Sequence, residues 1–415
     1  MSFDIGYHVL AHDPLEGWRS LPGKAFLCEV DSRSTGGSEV LLGLSGSRGV
    51  MRKQDMQQRS AEAETYIGYK RVRAGDLVCN KMQARNGLFG ISQYEGIISP
   101  DYAIYQLNGV HNPRFIEYAV RTELYAAEFA SRSNGIGSGF MRLNPDEFLS
   151  VRFWLPSREV QDALVECLNV QTAHIDSLME KKGRFISLLR EKRWALIARA
   201  VTSGLDPNAP MNNSGVKWLG DVPRSWKVTP LKYLCRVRTG NRDTAHAVPG
   251  GGYPFFVRSQ TIEEIDSYSA DCEAILTAGD GAGVGKVYHY FNGKFDFHQR
   301  VYMLSQFEGI RGRYVFYYLS ALFAAVALDG GAKSTVDSLR MPVFMGFAVA
   351  YPSLPEQDRI LDFVDRQVLR IDELIAKTER SIELLKEHRS AVIAAAVTGK
   401  IDLRGHANQN MKAAA

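Results

Sequence analysis

Two groups of loops in the sequence combine Arg and Lys with Asn, Gln and Ser. Arg and Lys bind phosphates and guanine edges, whereas Asn and Gln suit adenine edges. The first group comprises Arg48, Arg52, Lys53, Asn80, Lys81, Gln83, Arg85 and Asn86. The second comprises Arg238, Asn241, Arg242, Arg258, Ser259, Gln260, Lys286, Gln299 and Arg300. One such loop is usually only a solvated surface. Because loops of this kind occur in both halves of the chain, a DNA-binding surface is about as well supported as a solvated one.

The motifs that would indicate catalysis are incomplete. The segment 279–286 (GDGAGVGK) lacks the glycine spacing and the following Ser or Thr of a Walker phosphate loop, so a flexible turn near a partner is favoured. The segment 112–115 (NPRF) differs by one residue from the NPPF signature of amino-methyltransferases, but no glycine-rich cofactor loop follows an early strand. We therefore expect a chain with no catalytic residue, no metal site and no cofactor of its own.

One long segment occurs twice in the sequence, with matching residues 196 positions apart. The matches are 161–162 (QD) with 357–358, 175–176 (ID) with 371–372, and 200–202 (AVT) with 396–398. Self-similarity at a fixed offset indicates two copies of one architecture. Here the repeated plan is a globular block followed by a long helix.

An apolar stripe at spacings of three, four and seven predicts that the repeated segment is helical. The stripe comprises Leu164, Leu168, Ile175, Leu178, Phe185, Leu189 and Leu196 in the first copy, and Ile360, Val364, Ile371, Leu374, Leu385 and Val392 in the second. Gly204 and Gly399 mark the helix ends. Each helix has about 40 residues, or roughly 60 Å. Gln171 and Gln367 hold equivalent positions in the stripe, where a polar residue either fixes the register or is partly exposed.

A long helix with one apolar face needs a partner, and the other copy is the obvious one. We expect an α+β protein: two mixed α/β domains alternating with two long helices that pair as an antiparallel coiled coil about a pseudo-two-fold axis. The predicted divisions are 1–154 (domain 1), 155–206 (first helix), 207–350 (domain 2), 351–402 (second helix) and 403–415 (flexible tail). Both domains are predicted to be strand-rich, with turn-and-strand signals at 74–78 and 278–280 and one helix each, over 114–130 and 313–329.

Composition is that of an ordinary globular protein, with 415 residues, a formal net charge of +4, 45% hydrophobic and 23% charged residues. The five cysteines are scattered and form no CxxC pair, which favours a reducing cytoplasm. The uncharged run 314–328 is shorter than the ~20 residues that span a bilayer, so it is interpreted as a buried helix rather than a membrane anchor.

These features together resemble the specificity subunits of type I restriction–modification enzymes, over nearly the whole chain. The resemblance is carried by 155–162 (LPSREVQD), by the IDxL motifs at 175–178 and 371–374, by AVT at both helix ends, by 214–223 (SGVKWLGDVP), and by 75–80 and 99–102. No single motif is specific, but the combination is. The sequence departs from the family near its start, where 15–18 (LEGW) replaces a fuller opening.

The resemblance implies two target-recognition domains, each reading one half of an asymmetric, bipartite site in double-stranded DNA. The helices would set the spacer between the half-sites and dock two methyltransferase subunits, which methylate adenine with S-adenosylmethionine. Restriction (motor–nuclease) subunits would add ATP- and Mg-dependent translocation and cleavage. The family assigns no catalysis to this chain.

Two other classes of function stay open at this level. A bivalent coiled-coil adaptor that binds only proteins would show no salt-dependent affinity for DNA. A self-sufficient methyltransferase would transfer methyl groups unaided, although the missing cofactor loop argues against it.

Overall fold

The computed structural model describes residues 16–46, 48–56, 65–136, 140–327 and 339–401. The predicted tail 403–415 lies outside the described residues. The chain divides into two compact units. Unit 1 comprises Met1–Lys181 and Arg380–Ala415, and unit 2 comprises Lys182–Glu379. Each long helix therefore contributes one part to each unit.

The helices of the described residues are α1 (Pro113–Val120), α2 (Glu123–Arg132), α3 (Pro145–Ser150), α4 (Arg158–Ser203), α5 (Gly312–Ala327), α6 (Met341–Met345) and α7 (Leu354–Val397). The strands of unit 1 are β1 (Arg19–Pro22), β2 (Leu27–Glu29), β3 (Leu42–Ser45), β4 (Gly49–Arg52), β5 (Lys70–Val72), β6 (Leu77–Asn80), β7 (Phe89–Ile91), β8 (Gly96–Ile98), β9 (Tyr102–Leu107), β10 (Asn134–Ile136), β11 (Phe140–Arg142) and β12 (Arg152–Leu155). Those of unit 2 are β13 (Met211–Asn213), β14 (Asp221–Pro223), β15 (Lys227–Pro230), β16 (Arg236–Thr239), β17 (Tyr253–Phe256), β18 (Ile262–Ile265), β19 (Ala270–Ala278), β20 (Tyr288–Phe297), β21 (Val301–Ser305) and β22 (Ala348–Tyr351).

Unit 1 is built around a sheet in the order β2-β9-β6-β7, beside the hairpin β3–β4. An aromatic core of Phe89, Phe129 and Phe148, with ring centroids 5.2–5.5 Å apart, joins this sheet to α2 and α3. Such ring pairs add about 0.5–1.5 kcal/mol each beyond the burial of their area. This core holds the C-terminal end of β6, from which one predicted polar loop leaves.

The single helix predicted over 114–130 was wrong, because Thr122 divides it into α1 and α2. The Thr122 hydroxyl donates to the Ala119 carbonyl at 2.8 Å and accepts from the Tyr125 N–H at 3.4 Å. A threonine that bonds to backbone on both sides ends one helix and caps the next.

Unit 2 contains a sheet in the order β16-β21-β19-β20-β17-β18, covered by α5. Tyr314, Val315, Tyr318 and Leu319 of α5 are buried, so the buried-helix prediction for this segment is confirmed for the described residues. Leu328, the last residue of that predicted run, lies outside them.

The long helices end at the glycines that the sequence indicates, but they begin three residues later than the predicted 155 and 351, because Leu155 and Tyr351 belong to the strands β12 and β22. Gly204 and Gly399 follow α4 and α7 with φ values of +73° and +71°, the left-handed conformation that commonly terminates a helix. The helices contain 46 and 44 residues, slightly more than the expected length.

Within unit 1, the first part of α4 packs against the last part of α7. Leu164 and Leu168 share a buried cluster with Ile393, and Asp176 pairs with Arg389 at 3.0 Å. Residue numbers rise along one helix as they fall along the other, so the two segments are antiparallel.

Within unit 2, the second part of α4 packs in the same way against the first part of α7. Ile197 shares a buried cluster with Ile360 and Val364, and Arg193 pairs with Asp372 at 3.0 Å. This ion pair is the repeat equivalent of the one in unit 1, because each of its residues has its counterpart 196 positions away. Both units therefore use the same helix contact.

Gln161 and Gln357, both fully buried, join the start of each long helix to its own globular block. The side-chain oxygen of Gln161 accepts from the Asn112 N–H at 2.9 Å, and that of Gln357 accepts from the Arg311 N–H at 2.8 Å. Each amide nitrogen donates to the carbonyl five residues earlier, at 2.9 Å. Since α1 and α5 begin directly after Asn112 and Arg311, these amides fix the start of a domain helix against a long helix.

Two members of the predicted stripe are not buried. Leu374 is 46% exposed and Phe185 is 45% exposed, so neither belongs to the buried stripe, and the assignment of Leu374 to the helix-pair core was wrong. A helix turns about 100° per residue, which places Phe185 about 80° from the direction of Ile175, whereas the buried Ile186 lies about 20° from it. Leu374 likewise lies about 60° to one side of Ile371.

The other predicted stripe residues are buried or half-buried. The buried ones are Leu164, Leu168, Ile175, Leu189, Ile360, Val364 and Ile371, and the half-buried ones are Leu178, Leu196, Leu385 and Val392. Gln171 and Gln367 are half-buried too. The mixed α/β class with two long helices is confirmed. Across the described ranges, no helix is both long and apolar enough to cross a membrane.

Candidate nucleic-acid interface

An acidic residue joins two of the predicted basic residues in unit 2. Arg258 follows β17, Asp280 follows β19, and Arg300 precedes β21. Arg258 Nη1 donates to one carboxylate oxygen of Asp280 at 2.9 Å, and Arg300 Nη1 donates to the other at 2.9 Å. The two arginine side chains are 41% and 58% exposed. We call these three residues the triad. A guanidinium has five N–H donors, so both arginines keep donors for a ligand.

The glycine-rich segment 279–286 supports the triad from its backbone. The Gly279 N–H donates to the Arg300 carbonyl at 2.8 Å. A Cβ added to Gly283 would lie 2.5 Å from the Arg258 carbonyl, so this close approach requires glycine. The segment is therefore a closely packed turn that carries Asp280 between the two arginines.

Asp280 is held in its charged form. Partial burial by itself raises its pKa, but the hydrogen bonds and charges of Arg258 and Arg300 outweigh this effect and lower the pKa below its ordinary value. The triad therefore carries two positive charges and one negative charge at neutral pH.

Three further members of the second predicted group lie beside the triad. The Gln260 side chain donates to the Lys286 carbonyl at 3.0 Å, which ties the loop after β17 to the end of the glycine-rich segment. The Ser259 hydroxyl donates to the Thr261 carbonyl at 3.0 Å. The side chains of Ser259, Gln260 and Lys286 are exposed.

Arg242 differs from the triad arginines because its bonds are internal. Its Nε donates to Asp296 at 3.2 Å and its Nη2 donates to the Ser267 hydroxyl at 3.0 Å. The Asp296 side chain is 0% exposed and also accepts from Ser269 at 2.7 Å. Arg242 thus neutralises a buried carboxylate, a structural task that sequence alone does not reveal.

The remaining residues of this group are divided between surface packing and solvent. Arg238 donates to the Ser269 carbonyl at 3.1 Å, and its guanidinium lies 5.3 Å from the centre of the Phe297 ring. The Gln299 side chain donates to Asp243 at 3.2 Å. Asn241 is exposed.

His298 is buried beside the triad. Its Nδ1 accepts the Arg300 N–H at 2.9 Å, so this nitrogen carries no proton. Burial, together with the charge of Arg258, lowers its pKa below the ordinary value, and Asp243 only partly opposes this effect. The neutral imidazole therefore helps to fix the Arg300 backbone.

In unit 1, the loop after β6 is organised by its own amides. The Asn80 side-chain oxygen accepts the N–H groups of Met82 and Gln83 at 3.1 and 3.2 Å. The Asn86 amide donates to Gln83 at 2.5 Å. Arg85 lies on the short 3-10 helix Ala84–Asn86 and is exposed.

Lys81, in the same loop, is half-buried. Burial lowers its pKa, and the positive charges of Lys70 and Arg142 lower it further. Asp101 and Glu29 raise it and partly oppose this effect, so Lys81 lies among charges of both signs.

The hairpin β3–β4 carries the rest of the first group. The Arg52 guanidinium lies 5.4 Å from the centre of the Tyr94 ring, and Arg48 and Arg52 are exposed, whereas Lys53 is half-buried. The Arg121 guanidinium donates to the Gly46 carbonyl at the hairpin tip.

Sequence reasoning missed Arg121, Glu117 and Asp280. A Cβ on Gly87 would lie 3.2 Å from the Arg121 carbonyl, so Arg121 touches both the hairpin and the loop after β6. Buried Glu117 pairs with Arg121 at 3.3 Å, and their i,i+4 spacing was the available signal. An acid within a set of basic loops was the signal for Asp280.

Over the described ranges, no group of three His, Cys, Asp or Glu side chains could hold a metal ion.

The second half of this chain matches a known domain family. Residues 223–384 match the model of the type I restriction modification DNA specificity domain. The match includes the triad. The resemblance inferred from the sequence, to specificity subunits of type I restriction–modification enzymes, is confirmed.

One relative agrees with this match. The chain is 29% identical over 191 residues to the type I restriction enzyme EcoDI specificity subunit of Escherichia coli. The alignment covers 46% of this chain and 42% of that relative, so it spans less than half of either.

Solved structures show the fold. One, from work on complex assembly and conformational transition of the type I R-M system, has a TM-score of 0.72 at 15% identity and covers 94% of this chain and 100% of that chain. The HsdS subunit from Thermoanaerobacter tengcongensis has a TM-score of 0.50 at 15% identity, covering 94% and 99%.

Proposed function

We propose that this chain is the DNA sequence-recognition subunit of a type I restriction–modification complex. The observation that carries the proposal is that the matched DNA specificity domain, 223–384, contains exposed, oriented arginines on loops that meet in the fold. Oriented donors on a protein surface suit the readout of base edges.

Each globular block, 1–154 and 207–350, reads one half of a bipartite, asymmetric site. The repeat supports this division, since Gln161 and Gln357 anchor the two blocks through equivalent bonds while the polar loops differ in sequence and structure. Two readers on one support gain from effective concentration, because the second half-site binds almost intramolecularly. The segments 155–206 and 351–402 pair as an antiparallel coiled coil that sets the spacer.

The long helices also dock two methyltransferase subunits and, with them, the restriction subunits. Large apolar side chains exposed on these helices support docking: Val170 and Leu384 in unit 1, and Leu188 and Leu369 in unit 2. Catalysis belongs to the partners, which bind S-adenosylmethionine, ATP and Mg. This chain is the non-catalytic member.

Salt-dependent DNA binding by the full-length chain, alone and with its methyltransferase subunit, tests the proposal. The logarithm of the binding constant should fall linearly with that of the salt concentration, by about 0.9 per phosphate contacted. Lys286→Ala should lower this slope. Arg311→Ala is the control, because it removes an exposed arginine of unit 2 that pairs with Asp358 outside the polar loops.

A protein-only adaptor predicts no measurable, salt-sensitive DNA affinity in either preparation. Methyl transfer by the purified chain alone would contradict the non-catalytic assignment.

A further inference from the structure

We propose that the triad reads guanine. Arg258 and Arg300 hydrogen-bond to the major-groove edge of guanine in the half-site bound by unit 2, and Asp280 is the positioning residue that orients them. This inference rests on the proposed DNA-reading function. It names guanine as the base that is read, and it gives the glycine-rich segment the role of placing Asp280 between the two arginines.

The first argument is orientation. A bidentate contact to guanine O6 and N7 requires a guanidinium in a defined plane. One carboxylate accepts from both arginines at 2.9 Å, and this restricts how each guanidinium can turn. The free donors remain on exposed side chains, as a base contact requires.

The second argument is charge. A phosphate contact benefits from every positive charge and needs little orientation. Asp280 reduces the net charge of the triad from +2 to +1 and would repel a phosphate beside it, so the carboxylate favours directional base contacts over phosphate binding. Its lowered pKa keeps it charged at neutral pH.

The third argument is rigidity of the backbone. The Arg300 backbone is held on both sides, with its N–H bonded to His298 and its carbonyl bonded to Gly279. The Arg258 carbonyl packs against Gly283. A site on fixed backbone can place donors accurately, whereas a flexible loop suits phosphate contacts equally well.

The test begins with methylation mapping, which gives both half-sites. Each guanine of the unit 2 half-site is then replaced by 7-deazaguanine, which lacks the N7 acceptor, and binding of the full-length chain with its methyltransferase subunit is measured. At one or two guanines the replacement should weaken wild-type binding about 10-fold. In the Arg258→Ala and Arg300→Ala variants, whose binding is already weakened, the same 7-deazaguanine replacement should weaken DNA binding little further.

Charge-conserving variants separate base readout from phosphate binding. Arg258→Lys and Arg300→Lys keep the charge but lose the planar fork, so discrimination between guanine and other bases should fall about 10- to 100-fold while the salt slope stays unchanged. Asp280→Asn should also reduce discrimination, although it leaves both arginines in place and raises the net charge. Arg311→Ala should change none of these.

Three results would overturn the proposal. They are a unit 2 half-site without guanine, 7-deazaguanine replacements that act equally on wild type and variants, or arginine variants that weaken all sequences alike with a reduced salt slope. In these cases DNA recognition by the chain still stands. If no methylation motif depends on this chain, the proposed function fails and the guanine assignment fails with it.

Discussion

The tasks of the arginines in unit 2 are set by their partners. Arg242 faces the fully buried Asp296, whereas Arg258 and Arg300 share the more exposed Asp280. All three belong to one predicted group, yet Arg242 bonds to a buried carboxylate, whereas Arg258 and Arg300 keep donors for a ligand.

Arg242→Ala should therefore destabilise the protein, while Arg258→Ala should not. Loss of Arg242 leaves a buried carboxylate short of one donor, which costs about 1–3 kcal/mol. Loss of the more exposed Arg258 should change stability by less than about 0.5 kcal/mol. Urea unfolding of both variants measures the difference, and equal values would contradict the internal role of Arg242.

Stability should fall as the pH drops below about 6.5, in part because of His298. The pKa of His298 is lowered in the folded protein. Just below pH 6.5, the unfolded chain therefore binds a proton at this histidine while the folded chain does not. Over that interval the unfolded state binds more protons, and acidification favours it. Protonation would also break the bond from the Arg300 N–H to Nδ1.

His298→Asn should make this pH dependence shallower, because an amide oxygen can accept the same bond without titrating. Urea midpoints between pH 5.5 and 7.5 test this. His111→Asn is the comparison in unit 1, where burial also lowers the pKa of the histidine and its ring nitrogen lies 2.9 Å from the Gln161 amide nitrogen. An unchanged slope in the His298 variant would refute its role.

Residue types predicted the candidate groups but not the tasks within them. Asp296 lies 54 residues from Arg242, and Asp280 lies 22 and 20 residues from its two partners. Pairings over these distances depend on strand order, which loop composition does not encode.

At the scale of elements, the repeated QD motif marks the junction between each domain helix and each long helix. Gln357→Leu should remove the partner of the Arg311 N–H and cost about 1–3 kcal/mol, because a buried donor is left unpaired. Faster hydrogen exchange should be confined to the start of α5.

Gln161→Leu is the matched variant, and its faster exchange should be confined to the start of α1. Faster exchange at both junctions in either variant would mean that the anchors do not act separately.

The helices could be predicted from the sequence where a nearby residue or a regular apolar spacing determines them. Gly204 and Gly399 terminate helices through their own backbone freedom, and the 3.6-residue period gave most of the buried stripe. Leu374 and Phe185 were misassigned because apolar residues also occur beside the stripe. The break at Thr122 was missed because the Ala, Glu and Arg residues on either side of it have high helical tendency.

At the scale of the whole molecule, the proposal of two different readers rests on duplicated helix contacts and divergent loops. The ion pair of Asp176 with Arg389 and that of Arg193 with Asp372 are equivalent, whereas the triad has no counterpart at Asp76, the acid of the other Ala-Gly-Asp segment. Asp76 instead accepts the Arg73 N–H at 2.8 Å within a turn.

If the helices set the spacer, lengthening both should lengthen the preferred DNA site. One heptad inserted after Lys181 and one after Glu379 add about 10 Å of helix, or roughly three base pairs. Binding selections with variable spacers measure the change. Four-residue insertions at the same points are the control, because they rotate the domains by a different angle. An unchanged spacer would refute the ruler.

The most direct test of the central claim is methylation mapping of DNA from cells that carry this chain and its methyltransferase subunit, against cells that lack only this chain. The proposal predicts a split, asymmetric adenine-methylated motif that disappears without the chain, and in which Arg85→Ala relaxes one half-site and Arg258→Ala relaxes the other. An identical methylation pattern with and without the chain, from an active methyltransferase, would contradict it.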